Sequence, residues 1–273
     1  MLGKLIKYDF RSCIRRFGPL WLGMVALAVI NGFTIGHVLD NGSITGWAQF
    51  AFGVMPLILL IVLWTAVAIM SLVFVCERFY KGLLGDEGYL SMTLPVTTEE
   101  HIAAKAITAF LLELITGIAA VVSGLLLIAV YKPAILAEIF RALPKVFRYI
   151  DGHVVTLLIE YLVFVLVGSV GQTMHIYLAI CLGHLAKNHR VAWSLGAYVL
   201  ISVVISNILT LCAPLLNRIP EEWFFTIDEF GTHITAFAPI AWMIAGAILV
   251  EAIVAAAFFF ASNYILKNRL NLE

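Results

Sequence analysis

The sequence predicts an all-α membrane protein with six transmembrane helices, and three observations predict it. Of 273 residues, 62% are apolar and only 12% charged, with a mean hydropathy of +1.02; a soluble domain carries about a quarter charged residues. Six apolar runs, near 20–39, 51–76, 105–130, 154–182, 191–213 and 238–263, are long enough to span a bilayer. Crossing its hydrocarbon, about 30 Å thick, takes about 20 helical residues. Between the runs lie most of the charges, turn residues and prolines. The chain, 1–273, reads as a single transmembrane domain.

The first element precedes the first span. In residues 1–19, Leu2, Ile6, Phe10, Ile14 and Phe17 recur every three to four positions, while Lys4, Lys7, Arg11 and Arg15 take another face. This predicts a basic amphipathic helix lying at the membrane interface and ended by Gly18-Pro19. No short apolar stretch with a small-residue cleavage site follows, so the first run reads as a retained span.

An even number of spans puts both termini on one side, and the basic residues choose it. Twelve of the 17 Lys and Arg fall in the N-terminal segment, the 77–105 loop, the loop near 187 and the tail. The other five are Lys132, Arg141, Lys145, Arg148 and Arg218. Both termini and the 77–105 loop are therefore expected in the cytoplasm. Equal numbers of acidic and basic residues give no pull toward nucleic acid.

The exterior loops differ in kind. The turn at Asp40–Gly46 is short, and its Asn41-Gly42-Ser43 is a weak match to a glycosylation acceptor. Tyr131–Gly152 predicts a surface helix with Ile135, Ile139, Leu143, Phe147 and Ile150 on one face, suited to lipid headgroups. Pro214–Pro239 sets Trp223, Phe224, Phe225 and Phe230 among Glu221, Glu222, Asp228 and Glu229. Short re-entrant helices with aromatics at headgroup depth are expected there.

The loop between the second and third spans, ERFYKGLLGDEGYLSMTLPVTTEEHIAAK (77–105), is the only long polar passage in the first half of the chain. Glu77–Leu84 continues the second span as helix, and Gly85-Asp86-Glu87-Gly88 breaks it. Leu94-Pro95 is a second break. Thr97, with Glu100 three residues on, forms a capping box that opens a new helix through His101 to Lys105. The loop is thus a stiff helix–turn–helix insert and not a slack tether.

With its KYDF start, six spans and a first cytoplasmic loop reading DEGYL, TLPV and a helix ending in lysine, the chain resembles the bacterial permease subunits of type-2 ABC exporters. The likeness is specific over Arg78–Lys105 and otherwise one of topology. It implies that this loop is the coupling helix, seated in a groove of a separate ATPase subunit. By that resemblance Asp86, Glu87, Gly88, Tyr89, Leu94 and Pro95 fall on the docking motif, with Thr97, Glu100 and Lys105 on the helix after it. It further implies two ATPase copies, a second permease copy or a paralogue, and a multi-pass place in the bacterial inner membrane. The cargo would be hydrophobic, peptide or lipid-like.

The absences agree with that picture. No GxxxxGK[ST] loop is present, so ATP and Mg would act only through the partner, and no cofactor is expected on the chain itself. HExxH and GxSxG are missing, which counts against an intramembrane hydrolase and any enzyme activity of its own. An ion-driven secondary carrier would show inverted repeats, and none joins 1–136 to 137–273. Cys13, Cys76, Cys181 and Cys212 lack metal spacing and read as packed free thiols. His184 and His189 beside Lys187 lack a third ligand, so no metal site is expected.

Inside the spans a charge costs about 2.5–3.5 kcal/mol, so intramembrane Glu and His are functional candidates. Glu113, Glu160, His175 and Glu251 are those candidates, for a substrate path or for hydrogen bonds between helices. Glu113, Gly117, Ala120 and Gly124 share a face suited to close helix packing.

Overall fold

The computed structural model of the protein describes residues 2–40, 46–47, 50–85, 88, 93, 95–149, 152–186, 188–216, 226–228, 231–233 and 237–268. Among the described residues are seven long helices: α1 (Leu2–Asp40), α2 (Met55–Phe79), α3 (Thr98–Tyr131), α4 (Pro133–Tyr149), α5 (Gly152–His184), α6 (Arg190–Leu216) and α7 (Phe237–Asn268). Turns of π-helix, Phe50–Val54 and Tyr80–Leu84, extend α2 at both ends. All of these except α4 are long and apolar enough to cross a membrane, which makes six candidate spans. Their outward faces carry large apolar side chains, such as Leu22 on α1, Leu211 on α6 and Trp242 on α7, each more than two-thirds exposed. On a soluble protein such surface would drive aggregation; on six long helices it fits lipid.

α1 corrects the expectation of a separate interfacial helix ended by Gly18-Pro19: the helix runs through Pro19 to Asp40. A proline inside a helix removes one hydrogen bond and costs about 3 kcal/mol or more. Contacts on both sides of it hold the helix together. Arg78 donates two hydrogen bonds to Asp9 Oδ1, and Arg16 lies 3.7 Å from Glu77. The Phe17 ring meets Phe74 edge-on at 5.3 Å, and Trp21 Nε1 donates to Thr116 Oγ1 at 3.2 Å. The inward stripe of the first turns is Leu2, Ile6, Asp9, Cys13 and Phe17, rotated from the predicted face so that Ile14 points out.

The fold divides into two compact units, a boundary that no composition shift announces: Met1–Arg78 with Ile107–Tyr149, and Phe79–Ala106 with Ile150–Glu273. In the first unit Gly32 lets α1 approach α3, because a Cβ there would come 2.6 Å from Val130. Trp64 Nε1 donates to Ser123 Oγ at 3.0 Å, joining α2 to α3. The predicted small-residue strip on α3 is used only in part. Gly124 faces Trp64, whereas Gly117 has open space around it. α4 forms where expected, and Ile135, Ile139, Phe140 and Leu143 remain exposed, as an interfacial helix requires.

In the second unit α5 is the central element and packs against α6 and α7. From Thr173 to Cys181 every residue is buried, so α5 is covered on all sides over this stretch. Gly183 permits the contact with α6, since a Cβ there would overlap Ser194. Between α6 and α7 the described residues include a short two-stranded ribbon, and the segment in which short helices are expected lies mostly outside the described residues. β1 (Thr226–Asp228) pairs antiparallel with β2 (Gly231–His233), Thr226 opposite His233. Trp223, Phe224, Phe225, Phe230, Glu221, Glu222 and Glu229 lie outside the described residues, as does Asn41-Gly42-Ser43.

Candidate functional site

Two features of the second unit share α5. The first is the elbow between α2 and α3. Its leading limb, Tyr80–Leu84, closes with Gly85 N–H donating to the Tyr80 carbonyl at 2.8 Å, and Gly88 N–H donates to the Gly85 carbonyl at 2.8 Å. Gly88 sits so close to the Leu83 carbonyl that a Cβ would come within 2.6 Å of its oxygen, so the tight return demands glycine. The trailing limb opens with a reciprocal capping box. Thr97 N–H donates to Glu100 Oε2 at 3.1 Å, and Glu100 N–H donates to Thr97 Oγ1 at 3.3 Å. Lys105 packs back onto the leading limb, its Nζ 2.5 Å from where a Cβ on Gly82 would lie. Asp86, Glu87, Tyr89 and Leu94 of the predicted docking motif lie outside the described residues, whereas Gly88, Pro95, Thr97, Glu100 and Lys105 are within them.

The elbow is fastened to the helices beneath it. Phe79 stacks on Tyr177 of α5 with ring centroids 3.9 Å apart and planes at 14°, and both residues are at most 1% exposed. Such a pair contributes about 0.5–1.5 kcal/mol beyond the area it buries. Tyr80 meets His184 edge-on at 6.1 Å, and Asn263 of α7 donates to Glu99 Oε1 at 3.0 Å. His184, at the end of α5, therefore supports the elbow. His189 begins the turn into α6 with a left-handed φ of 54° and accepts the Trp193 N–H at 3.1 Å, while Lys187 lies outside the described residues.

The second feature is a cavity of about 610 Å³ among α5, α6 and α7. That volume lies in the range of small-molecule sites, about 300–1,000 Å³. α6 lines it with Tyr198, Ser202, Ser206 and Thr210, one residue per turn on a single face. Opposite stand Gln172 and His175 of α5 and Glu251 and Phe258 of α7. Gln172 Nε2 donates to Tyr198 Oη at 2.7 Å. The His175 ring stacks on Tyr198 at 4.4 Å and lies against Phe258 at 5.4 Å. Glu251 approaches α5 at Gly171, where any Cβ would overlap its carboxylate.

Of the four intramembrane candidates, the structure brings His175 and Glu251 together on this cavity. Glu160 is on α5 but 15 residues before His175, about 22 Å along the helix, and its buried Oε2 has no hydrogen-bond partner. Glu113 is half-buried on α3, in the other unit. No group of three metal-ligating side chains occurs among the described residues. Sequence reading missed the Tyr198–Thr210 stripe, although its four-residue spacing was visible, and it gave Phe79 and Tyr177 no role.

No family model matches this chain, and comparison with curated proteins and with solved structures likewise finds no match.

Proposed function

We propose that the protein is the membrane-spanning subunit of an ATP-driven type-2 ABC exporter. On this reading it docks a separate ATPase at the elbow and moves a hydrophobic or amphipathic cargo across a bacterial inner membrane. One observation carries the reading. The capped elbow stacks through Phe79 on Tyr177, two residues along α5 from His175, which lines the cavity. Work delivered at the elbow therefore reaches the cavity wall through one buried helix, with no flexible link between. The resemblance of residues 78–105 to a coupling loop and the absence of a phosphate-binding loop support the same view. So does the basic-residue count, from which the elbow and both termini are expected in the cytoplasm.

Two ATPase subunits, each with ATP and Mg, would serve two permease chains. Reversing charge with Asp86→Lys and Glu87→Lys should abolish co-purification with the partner ATPase while membrane insertion persists. ATPase retention in the correctly inserted variant would refute the docking assignment. An ion-driven carrier is the rival reading, favoured by Glu251 on a cavity at membrane depth. It predicts transport that collapses with the proton gradient and needs no ATPase.

A further inference from the structure

The cavity among α5, α6 and α7 has a definite chemical character. Its lining includes one carboxylate, Glu251, and neither Lys nor Arg among the described residues. Glu251 has no ion-pair partner among the described residues either. An uncompensated carboxylate at this depth is costly unless a cation joins it. Tyr198 and Phe258 line the same cavity, each against the His175 ring, and aromatic rings attract organic cations. His175 is 94% buried from solvent (6% exposed) on the cavity wall, and its Nε2 has no hydrogen-bond partner. Buried polar atoms in native folds are nearly always satisfied, so this nitrogen calls for a group that the chain itself does not supply.

The remainder of the lining is mixed in a useful way. Hydroxyls run along α6, and Val250, Val254 and Leu209 provide apolar wall. Ser202 and Thr210 donate to helix carbonyls four residues back, which leaves their oxygens free to accept further hydrogen bonds. The outer part of the cavity is open, because Ser206, Leu209 and Thr210 are exposed. His175, two residues from Tyr177, marks the elbow end of the cavity, whereas Glu251 lies 12 residues from Asn263, whose partner Glu99 is in the elbow, and so about 18 Å along α7 below it. Lipid headgroups do not reside at that depth, so a phospholipid amine is not the natural occupant.

We infer that this cavity binds a lipophilic organic monocation, an ammonium or phosphonium centre with an apolar body. Glu251 neutralises the charge, Tyr198 and Phe258 cover it, and His175 Nε2 bonds a polar substituent where the ligand has one. The inference deepens the export reading, and rests on it for the cavity being a cargo site.

The test uses the full chain in phosphatidylcholine nanodiscs and radiolabelled tetraphenylphosphonium, with binding to empty nanodiscs subtracted. Saturable binding is expected, with tetraphenylborate, of nearly the same shape and opposite charge, binding at least tenfold more weakly. Glu251→Gln should weaken phosphonium binding at least tenfold. Ser206→Phe, placed at an exposed position and filling the mouth, should do the same while helical content by circular dichroism stays native. Absence of saturable binding, equal affinity for the borate, or unchanged affinity in either folded variant overturns the inference. Co-purification of the ATPase, scored on the same preparations, separates the two ideas. Phosphonium bound without an ATPase partner refutes the export reading and leaves the site, while an ATPase bound without phosphonium does the reverse.

Discussion

Replacing Phe79 by alanine removes the stack that fastens the elbow to α5. Phe79 is fully buried, and truncating a buried phenylalanine to alanine costs about 3–5 kcal/mol. Its partner Tyr177 is packed all round, so the gap cannot close by a simple side-chain shift. The loss falls on the local opening of the leading limb and not on the spans, which lipid and the other helices hold. Hydrogen exchange at the amides of residues 80–84 reads that opening. At about 1.4 kcal/mol per decade, exchange there should accelerate by about two to three and a half orders of magnitude. Phe79→Leu gives a graded control. It keeps most of the volume and forfeits the ring stack, about 0.5–1.5 kcal/mol, so an acceleration of about two- to tenfold is expected. Amides at the middle of α6 should not change in either variant. Exchange in Phe79→Ala within threefold of native would show that the elbow is not fastened to α5, and the route proposed for force would fail with it.

Three further outcomes are expected. Thr97→Ala breaks the capping box and should cost about 0.5–2 kcal/mol, seen as faster amide exchange at Glu99–His101 with the spans unaffected. Gly171→Ala drives a methyl group into the Glu251 carboxylate and should destabilise by about 1–3 kcal/mol, lowering Tm in detergent micelles. The double variant Gly171→Ala/Glu251→Ala should recover that loss, because alanine is otherwise the better helix former at 171 by up to about 1 kcal/mol. Asp9→Ala leaves Arg78 without its carboxylate at a cost of about 1.5–3 kcal/mol, and should make Lys4, Lys7 and Arg11 cleave faster in limited trypsin digestion.

The amino-acid sequence by itself determined the six candidate spans and the helix α4, because apolar length and periodicity are local properties of a chain. It determined the capping box at Thr97 for the same reason: Thr97 and Glu100 sit three residues apart and need no distant partner. It misjudged α1, where Gly18-Pro19 reads as a stop. The helix continues because Asp9, Phe17 and Trp21 find Arg78, Phe74 and Thr116, between 57 and 95 residues away in the chain. Only the tertiary structure could make Phe79 and Tyr177 a joint, or select His175 and Glu251 from four costly intramembrane groups and leave Glu113 and Glu160 elsewhere. A local pattern tells how far a helix runs and which way it faces. Which face meets which is decided by packing among helices whose outer surfaces are all similarly apolar, and that choice is made by small residues such as Gly171 and by the few polar groups that must find partners.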